Sequence, residues 1–171
     1  FADASENDWD EEEGNGCTIA HSAVDGGATT ITGDNAAADD VGELIGTAQW
    51  SAASNCGMLA KAKCSVITDT CFAFGFADQK ETTNDKIAAQ MNGTALVAAS
   101  NTEDFAAMVF DTDATTDVWY CATSEGGVEG TPVAATGSLA PAVDTYFYVG
   151  LQTNTDGDVA FYYGTAIDNM V

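Results

Sequence analysis

The chain has 171 residues, of which 27 are acidic and 4, all lysines, are basic, and its formal net charge is −23. A surface so short of cations cannot neutralise the phosphates of a nucleic acid or of an anionic membrane, which argues against both as partners. Hydrophobic residues make up 46% of the chain, enough for a real core, but no apolar run approaches the roughly 20 residues that cross a bilayer.

The first 16 residues, FADASENDWDEEEGNG, are acidic and poor in β-forming residues. They predict an extended N-terminal arm, 1–16, ahead of a single β-sandwich domain at 17–171. Phe1 and Trp9 are the large apolar side chains of the arm, and we expect them to bind a partner surface. The acidic run at 10–13 is typical of a solvated face.

Beyond the arm the sequence predicts an all-β domain. Short runs of β-branched and aromatic residues alternate with clusters of Gly, Asn, Asp and Ser, which is the pattern of strands joined by turns. The predicted strands lie at 29–32, 44–50, 57–67, 71–76, 94–99, 104–110, 117–123, 128–136, 145–153 and 158–164. About ten short strands with regular turns favour an antiparallel β-sandwich or jelly roll.

Two of these runs alternate as strands with one buried face do. In the first run, one face carries Met58, Ala60, Ala62 and Cys64, and the other carries Leu59, Lys61 and Lys63. In the second run, at 71–76, three phenylalanines share a face. The turn TDT at 68–70 between the two runs predicts a hairpin, and the Asp156-Gly157 pair predicts a tight type I′ hairpin turn.

A single segment, TNDKIAAQMNG at 83–93, predicts a short helix. Thr83 or Asn84 can cap its start, and Ile87 and Met91 are four residues apart, so they share a helix face. We expect this helix to lie across one end of the sheets.

Five cysteines occur without a CxxC pair, and the chain has one histidine, which argues against a zinc site. Cys64, Cys71 and Cys121 stand within predicted strands, where we expect small buried apolar side chains. Cys17 and Cys56 lie in polar, Gly-rich surroundings and could form one disulfide.

The loop DTDATTD at 111–117 is the candidate cation site. Its three aspartates, Asp111, Asp113 and Asp117, are spaced closely enough to suit calcium. The loop lacks the Gly and the final Glu of an EF-hand loop, and Asp and Thr are ordinary turn residues. The sequence therefore favours an Asx-type turn over a metal site, and NTDGD at 154–158 is interpreted in the same way.

Enzymatic signatures are missing from the sequence. A glycosidase would need paired carboxylates projecting from one strand into a groove, and no predicted strand carries such a pattern. There is no nucleophile elbow or phosphate-binding loop, and a single histidine leaves few routes to a catalytic triad. We therefore expect no catalytic residue and no cofactor.

Several aromatic residues could instead line a sugar-binding platform: Trp119, Tyr120, Tyr146, Tyr148, Tyr162 and Tyr163. Most of them alternate with small residues in predicted strands, which favours packing in the core or on a sheet face. The adjacent Tyr162 and Tyr163 must place at least one ring on an outer face.

Four stretches of the chain, at 26–40, 57–81, 106–127 and 140–165, resemble a known family. The second joins an alternating run to CFAFGFAD, and the fourth consists of a strand, an Asp-Gly turn and a strand that ends in an aromatic residue and Gly. These features are similar to the concanavalin A-like, jelly-roll structural domains of tailed bacteriophages, in particular head decoration or cement proteins of marine phages. A more typical ending would place Asn before Gly164.

The resemblance implies a virion protein without enzymatic activity. Such a protein would lie on the outer surface of the capsid, bind the major capsid protein of the same virion and bridge neighbouring shell subunits. A homo-oligomer, a dimer or trimer, is expected. The alternative is a lectin-like carbohydrate-binding module of a phage fibre or of a secreted protein, which would bind sugars through exposed Trp and Tyr side chains.

Overall fold

A computed structural model describes residues 9–14, 16–22, 28–33, 41–46, 55–78, 89–98, 103–137 and 139–170. Its named strands all pair in antiparallel fashion, which confirms the predicted all-β, antiparallel class. The chain divides into two compact units: Phe1–Gln49 with Lys80–Ile87, and Trp50–Gln79 with Ala88–Val171.

The first unit contains two pairs of strands. They are β1 (Trp9–Gly14) with β4 (Val41–Gly46), and β2 (Thr18–Ser22) with β3 (Ala28–Thr32). Side chains tie the two pairs together: Glu11 Oε1 contacts His21 Nε2, and Glu13 Oε1 accepts the backbone N–H of Ile19 at 2.5 Å. The acidic run of the predicted arm is thus accommodated in a strand.

Residues 9–14 form a paired strand, although their side chains have low β-propensity. The hydrogen bonds to β4 and the contacts of Glu11 and Glu13 outweigh that propensity. Phe1 lies outside the described residues, and the boundary predicted at residues 16 and 17 stays a prediction.

Among the described residues, the second unit holds ten strands. They are β5 (Gly57–Ala62), β6 (Cys71–Ala77), β7 (Ala89–Asn92), β8 (Ala95–Ala98), β9 (Phe105–Asp111), β10 (Trp119–Glu125), β11 (Val128–Glu129), β12 (Val133–Ala134), β13 (Phe147–Thr153) and β14 (Val159–Gly164). One sheet has the order β11-β10-β9-β6, with β12 also paired to β10. A second has the order β14-β13-β5, and β7 and β8 form a hairpin.

The two larger sheets pack face to face around an aromatic core. The ring centroid of Trp119 on β10 lies 5.5 Å from that of Phe147 and 5.6 Å from that of Tyr163 on the opposite sheet, and 6.0 Å from Phe74 on β6. Phe72, Phe74 and Phe76 all pack against this core, as their shared face predicts. Among the described residues the Trp119 indole N–H makes no well-formed hydrogen bond, so this side chain stabilises the core mainly by packing.

The β7–β8 hairpin covers the other face of the five-stranded sheet. Its buried Ala89, Met91 and Leu96 pack against Phe105, Ala107 and Val109 of β9. Every residue of β9 is buried, because one set of side chains faces the sandwich core and the other faces the hairpin. The nearly continuous apolar sequence of β9 is typical of a strand covered on both sides.

The predicted helix is a strand where the structure describes it. Residues 83–88 lie outside the described residues, but Ala89–Asn92 form β7. Ala89 and Met91 point toward β9 with a period of two, so the helix prediction is wrong for this part. The one helical element among the described residues is a 3₁₀ turn, Ile167–Asn169.

Two predicted turns also differ from the structure. The turn at 68–70 does not close a hairpin, because β5 pairs with β13 and β6 pairs with β9. The chain crosses there from one sheet of the sandwich to the other. The turn after β13 is not type I′, since Gly157 has a φ of +89° but Asp156 does not enter the left-handed region. The loop spans 154–158, and within it the N–H of Gly157 bonds to the carbonyl of Asn154.

Candidate functional site

The buried carboxylate of Asp111 is the centre of the predicted cation loop. Asp111 ends β9 and is only 5% exposed. Its Oδ2 accepts the backbone N–H of Met91 at 2.7 Å, and its Oδ1 accepts that of Asp113 at 2.9 Å. The second bond, from residue i+2 to the side chain of residue i, is an Asx turn, which confirms the turn interpretation at this position.

The backbone of the same loop holds the β7–β8 hairpin. Gly93, at the tip of the hairpin, donates to the carbonyl of Asp113 at 2.8 Å and accepts from the N–H of Thr115 at 2.8 Å. Gly93 has a φ of +62°, a conformation that glycine adopts without strain. Together with the Asp111 carboxylate, these bonds fasten the hairpin to the sheet.

The three aspartates do not converge on one point. Asp113 and Asp117 are exposed, and both oxygens of Asp111 already accept backbone N–H groups. In the described part of the chain no group of three or more His, Cys, Asp or Glu side chains is placed to hold a metal ion. The second acidic loop is also an Asx turn, with Asn154 Oδ1 accepting the N–H groups of Asp156 and Asp158 at 2.9 Å each.

Cys71 lies beside this site at the start of β6. Burial raises the pKa of its thiol strongly, and the neighbouring carboxylate of Asp111 raises it further, because a thiolate there would be both desolvated and repelled. Burial also raises the pKa of the Cys64 and Cys121 thiols. At neutral pH these three thiols are therefore protonated, which is the less nucleophilic form.

Cys64, Cys71 and Cys121 are buried or half-buried, as predicted, although Cys64 lies just beyond the end of β5. Cys17 belongs to the first unit and Cys56 to the second, and the disulfide considered between them stays a prediction.

The buried polar residues of the described chain all bind backbone groups. Besides Asp111, Ser124 Oγ donates to the Glu103 carbonyl at 2.9 Å, and Thr153 Oγ1 accepts the N–H of Cys56 at 2.9 Å. Each bond joins a strand to a segment distant in sequence. The buried polar side chains thus serve to hold loops in place.

The outer face of the three-stranded sheet presents a different chemistry. We call it the lysine–tyrosine face, and it consists of Leu59, Lys61, Lys63, Tyr146, Tyr148 and Tyr162. Antiparallel register places Lys61 beside Tyr148, and Gly150 between Leu59 and Tyr162. The sequence predicts that Leu59 and the two lysines share a face, but it gives no sign that tyrosines about 85 to 100 positions later join them.

The six aromatic residues of the predicted sugar platform separate in the structure. Trp119, Tyr120 and Tyr163 are buried, Tyr148 is half-buried, and Tyr146 and Tyr162 are exposed on the lysine–tyrosine face. One ring of the Tyr162-Tyr163 pair therefore lies on an outer face, as predicted.

A shallow groove of about 310 Å³ adjoins this face at the end of β13 and the start of β14. Its lining includes Gln152 and Tyr162 together with Asn154 and Asp158 of the loop. Asn154 Nδ2 donates to Asp158 Oδ2 at 3.0 Å, so these two side chains also stabilise the loop itself.

The structure leaves the predicted partner-binding pair untested. Phe1 lies outside the described residues, and Trp9 is described only through its backbone, at the first position of β1. Their role stays a prediction.

Comparisons with family models, with curated proteins and with solved structures found no match to this chain. Of the helices in the described residues, none is long and apolar enough to cross a membrane.

Proposed function

We propose that this chain is a non-enzymatic structural protein of a tailed-phage virion. It decorates the head: it binds the outer surface of the capsid through the major capsid protein and stabilises neighbouring shell subunits. A jelly-roll order of the strands within the all-β fold is part of the same proposal, which begins from the four stretches that resemble phage decoration proteins.

One observation carries the proposal, namely the way the buried polar side chains are used. Asp111, Ser124 and Thr153 all bond to backbone groups that fix loops to strands. The strand at the centre, β9, is covered on both faces. Such an arrangement favours a rigid module that acts through its shape, which suits a protein that clamps a shell.

The charge supports the same proposal. A net charge of −23 makes the solvent-facing surface of a decorated particle strongly negative. Particles covered in this way repel each other and stay dispersed.

Sedimentation of particles tests the proposal. Virions from the source of this chain are separated on a density gradient, and the fractions are probed with an antibody against the chain. Decoration predicts that the chain migrates with intact heads at a constant ratio to the major capsid protein across independent preparations. A chain found only in the soluble fractions at the top of the gradient would refute it.

A second candidate function, a lectin-like carbohydrate-binding module, is favoured by one observation. The groove lined by Gln152 and Tyr162 offers an amide and an exposed aromatic ring, the kinds of group that hydrogen-bond to and stack on sugars. A glycan array with the purified chain tests it, and binding that a Tyr162→Ala variant abolishes would establish it. An array without signal above background removes this candidate.

A further inference from the structure

The tip of the β7–β8 hairpin carries an Asn-Gly pair. Asn92 ends β7, Ala95 begins β8 and the two residues pair, so Gly93 and Thr94 form a two-residue turn. Gly93 has a φ of +62°, the left-handed conformation that such a turn needs at its first position. The Asn92 side chain is exposed, and glycine has no side chain to hinder the approach of the Asn92 amide carbon to the Gly93 nitrogen.

An Asn-Gly pair can react with itself in water. The backbone nitrogen of Gly93 loses its proton and attacks the side-chain amide carbon of Asn92. A carbon–nitrogen bond forms, the bond to the side-chain nitrogen breaks, and ammonia leaves. Water then adds to either carbonyl carbon of the cyclic imide and opens the ring to an aspartyl or an isoaspartyl residue. The reaction consumes water, releases ammonia and needs no other reagent.

The docked hairpin keeps the Gly93 nitrogen from reacting. The N–H of Gly93 donates to the carbonyl oxygen of Asp113 at 2.8 Å, and the Gly93 carbonyl accepts the N–H of Thr115 at 2.8 Å. A backbone N–H bonded in this way retains its proton, and the two bonds hold Gly93 against the neighbouring loop. Attack on Asn92 therefore requires a local opening in which the tip of the hairpin leaves that loop.

The buried carboxylate of Asp111 controls the same opening. Its Oδ2 accepts the N–H of Met91, the residue before Asn92, at 2.7 Å. Met91 also packs against β9, so the tip detaches only when this bond and the apolar contact are both lost. We infer that Asn92 is a deamidation site that the docked β7–β8 hairpin keeps unreactive, and that it reacts when the hairpin detaches from β9.

The isoaspartyl product makes this detachment permanent. Its main chain runs through the side-chain carbon and is longer by one carbon atom at position 92. The pairing of Asn92 with Ala95 and the bond from Gly93 to Asp113 then no longer fit together. Neither the reaction nor its suppression depends on head decoration.

Incubation of the purified chain in mildly alkaline buffer, followed by mass spectrometry of the peptide that spans the hairpin, tests the inference. The folded chain should convert Asn92 at least about tenfold more slowly than the same chain unfolded in urea, because the detached hairpin is a small fraction of the folded population. The other Asn-Gly pair of the sequence, Asn15-Gly16, calibrates the rate in urea, where both pairs should react alike.

Variants of the loop test the role of docking. Asp111→Ala should raise the rate in the folded protein by about fivefold or more, because Met91 loses its acceptor. Asp113→Asn is the matched control: this loop residue binds Gly93 through its backbone alone, so the rate should not change. Asp111→Asn keeps one oxygen acceptor and should give an intermediate rate, which preserves the test if circular dichroism shows that the alanine variant is unfolded. Equal rates in the folded and the unfolded chain would overturn the inference, as would equal rates in the Asp111 and Asp113 variants.

A further measurement tests the consequence of the reaction. Chain that has been deamidated in urea and then refolded should unfold at a lower urea concentration than chain refolded at once. Asn92→Gln, incubated in the same way, corrects for reaction at every other asparagine and should show a smaller loss. If the unaltered chain and Asn92→Gln lose the same stability, the reaction does not release the hairpin.

Discussion

The carboxylate of Asp111 accepts the backbone N–H of Met91 at 2.7 Å and so joins the end of the central strand β9 to the hairpin that covers it. The other oxygen of the same carboxylate accepts the N–H of Asp113 at 2.9 Å. The loop that the sequence offers as a candidate cation site therefore joins the β7–β8 hairpin to the five-stranded sheet by a hydrogen bond.

Replacing Asp111 should therefore destabilise the protein. Asp111→Ala leaves the buried N–H of Met91 without its acceptor and should lower the free energy of unfolding by about 2–4 kcal/mol. Asp111→Asn keeps one oxygen acceptor and should cost about half as much. Urea unfolding monitored by circular dichroism measures both values.

The matched control is Asp113→Asn. The side chain of Asp113 is exposed, and the loop uses its backbone groups rather than its carboxylate, so the change should stay within about 0.5 kcal/mol. If Asp111→Ala is as stable as this control, the carboxylate does not act as a clasp.

Calcium should leave the stability of the protein unchanged. Both oxygens of Asp111 are occupied by N–H groups, so binding a cation there would first break those bonds. We expect melting temperatures in millimolar calcium and in chelator to agree within about 1 °C, since a ligand stabilises only when it binds the native state. If calcium instead raises the melting temperature, and Asp111→Asn abolishes that increase, the loop is a metal site.

Stability should decline in alkaline solution because of the buried thiols. The pKa of Cys71 is raised from its ordinary value of about 9, so above that pH the unfolded chain releases a proton that the folded chain retains. Below about pH 9 the thiol is protonated in both the folded and the unfolded chain, so its ionisation does not change the free energy of unfolding. Above that pH, ionisation of Cys71 in the unfolded chain lowers the free energy of unfolding by up to about 1.4 kcal/mol per pH unit.

Urea unfolding between pH 7 and pH 10.5 in a reducing buffer measures this slope, and Cys71→Ala should make it shallower. The raised pKa of Tyr163, which burial causes, adds to the decline at the upper end. An identical slope in Cys71→Ala would show that the Cys71 thiol ionises as readily in the folded protein as in the unfolded chain.

Gly75 should not tolerate a side chain. A Cβ at this position on β6 would lie 2.6 Å from the Cα of Ala107 on β9, closer than non-bonded carbon atoms approach. Gly75→Ala should therefore lower the free energy of unfolding by about 1–3 kcal/mol or more, because overpacking usually costs that much. Thermal and urea unfolding of the variant measure the loss.

Gly57→Ala provides the comparison within the other sheet. A Cβ there would meet only the Leu151 carbonyl oxygen, at 3.6 Å, an ordinary contact distance. This variant should be as stable as the unaltered chain or slightly more stable, because alanine restricts the unfolded chain. Equal destabilisation by the two substitutions would contradict the close approach of β6 to β9.

Local patterns in the sequence predict individual strands well but not their partners. The alternation in 57–62 and the phenylalanines of 71–76 are both found as predicted, yet the short turn between them crosses between sheets. The pairing of β5 with β13 joins residues about 90 positions apart, and nothing in either strand alone specifies it.

The helix prediction is wrong at 89–92 because the spacing behind it is ambiguous. Ile87 and Met91 are four apart, which fits one helix face but also fits one face of a strand, since four is a multiple of two. The buried surface of β9 decides between them, because Ala89 and Met91 pack against it together. Such a tertiary contact overrides local propensity.

At the Asp111 loop and at the lysine–tyrosine face, the sequence likewise predicts local contacts but not contacts between distant segments. The Asx turn at Asp111 is local and could be predicted, whereas the bond from Met91 depends on how the hairpin docks. The lysine–tyrosine face exists only because the register of β5 and β13 sets Lys61 beside Tyr148.

Titration of the purified chain onto bare phage heads tests the proposal of head decoration most directly. The chain should bind until a fixed ratio to the major capsid protein is reached, and saturated heads should withstand a higher temperature than bare heads before they open. The chain is not a decoration protein if it does not sediment with heads. The same conclusion follows if it binds without saturation and heads mixed with the chain open at the same temperature as bare heads.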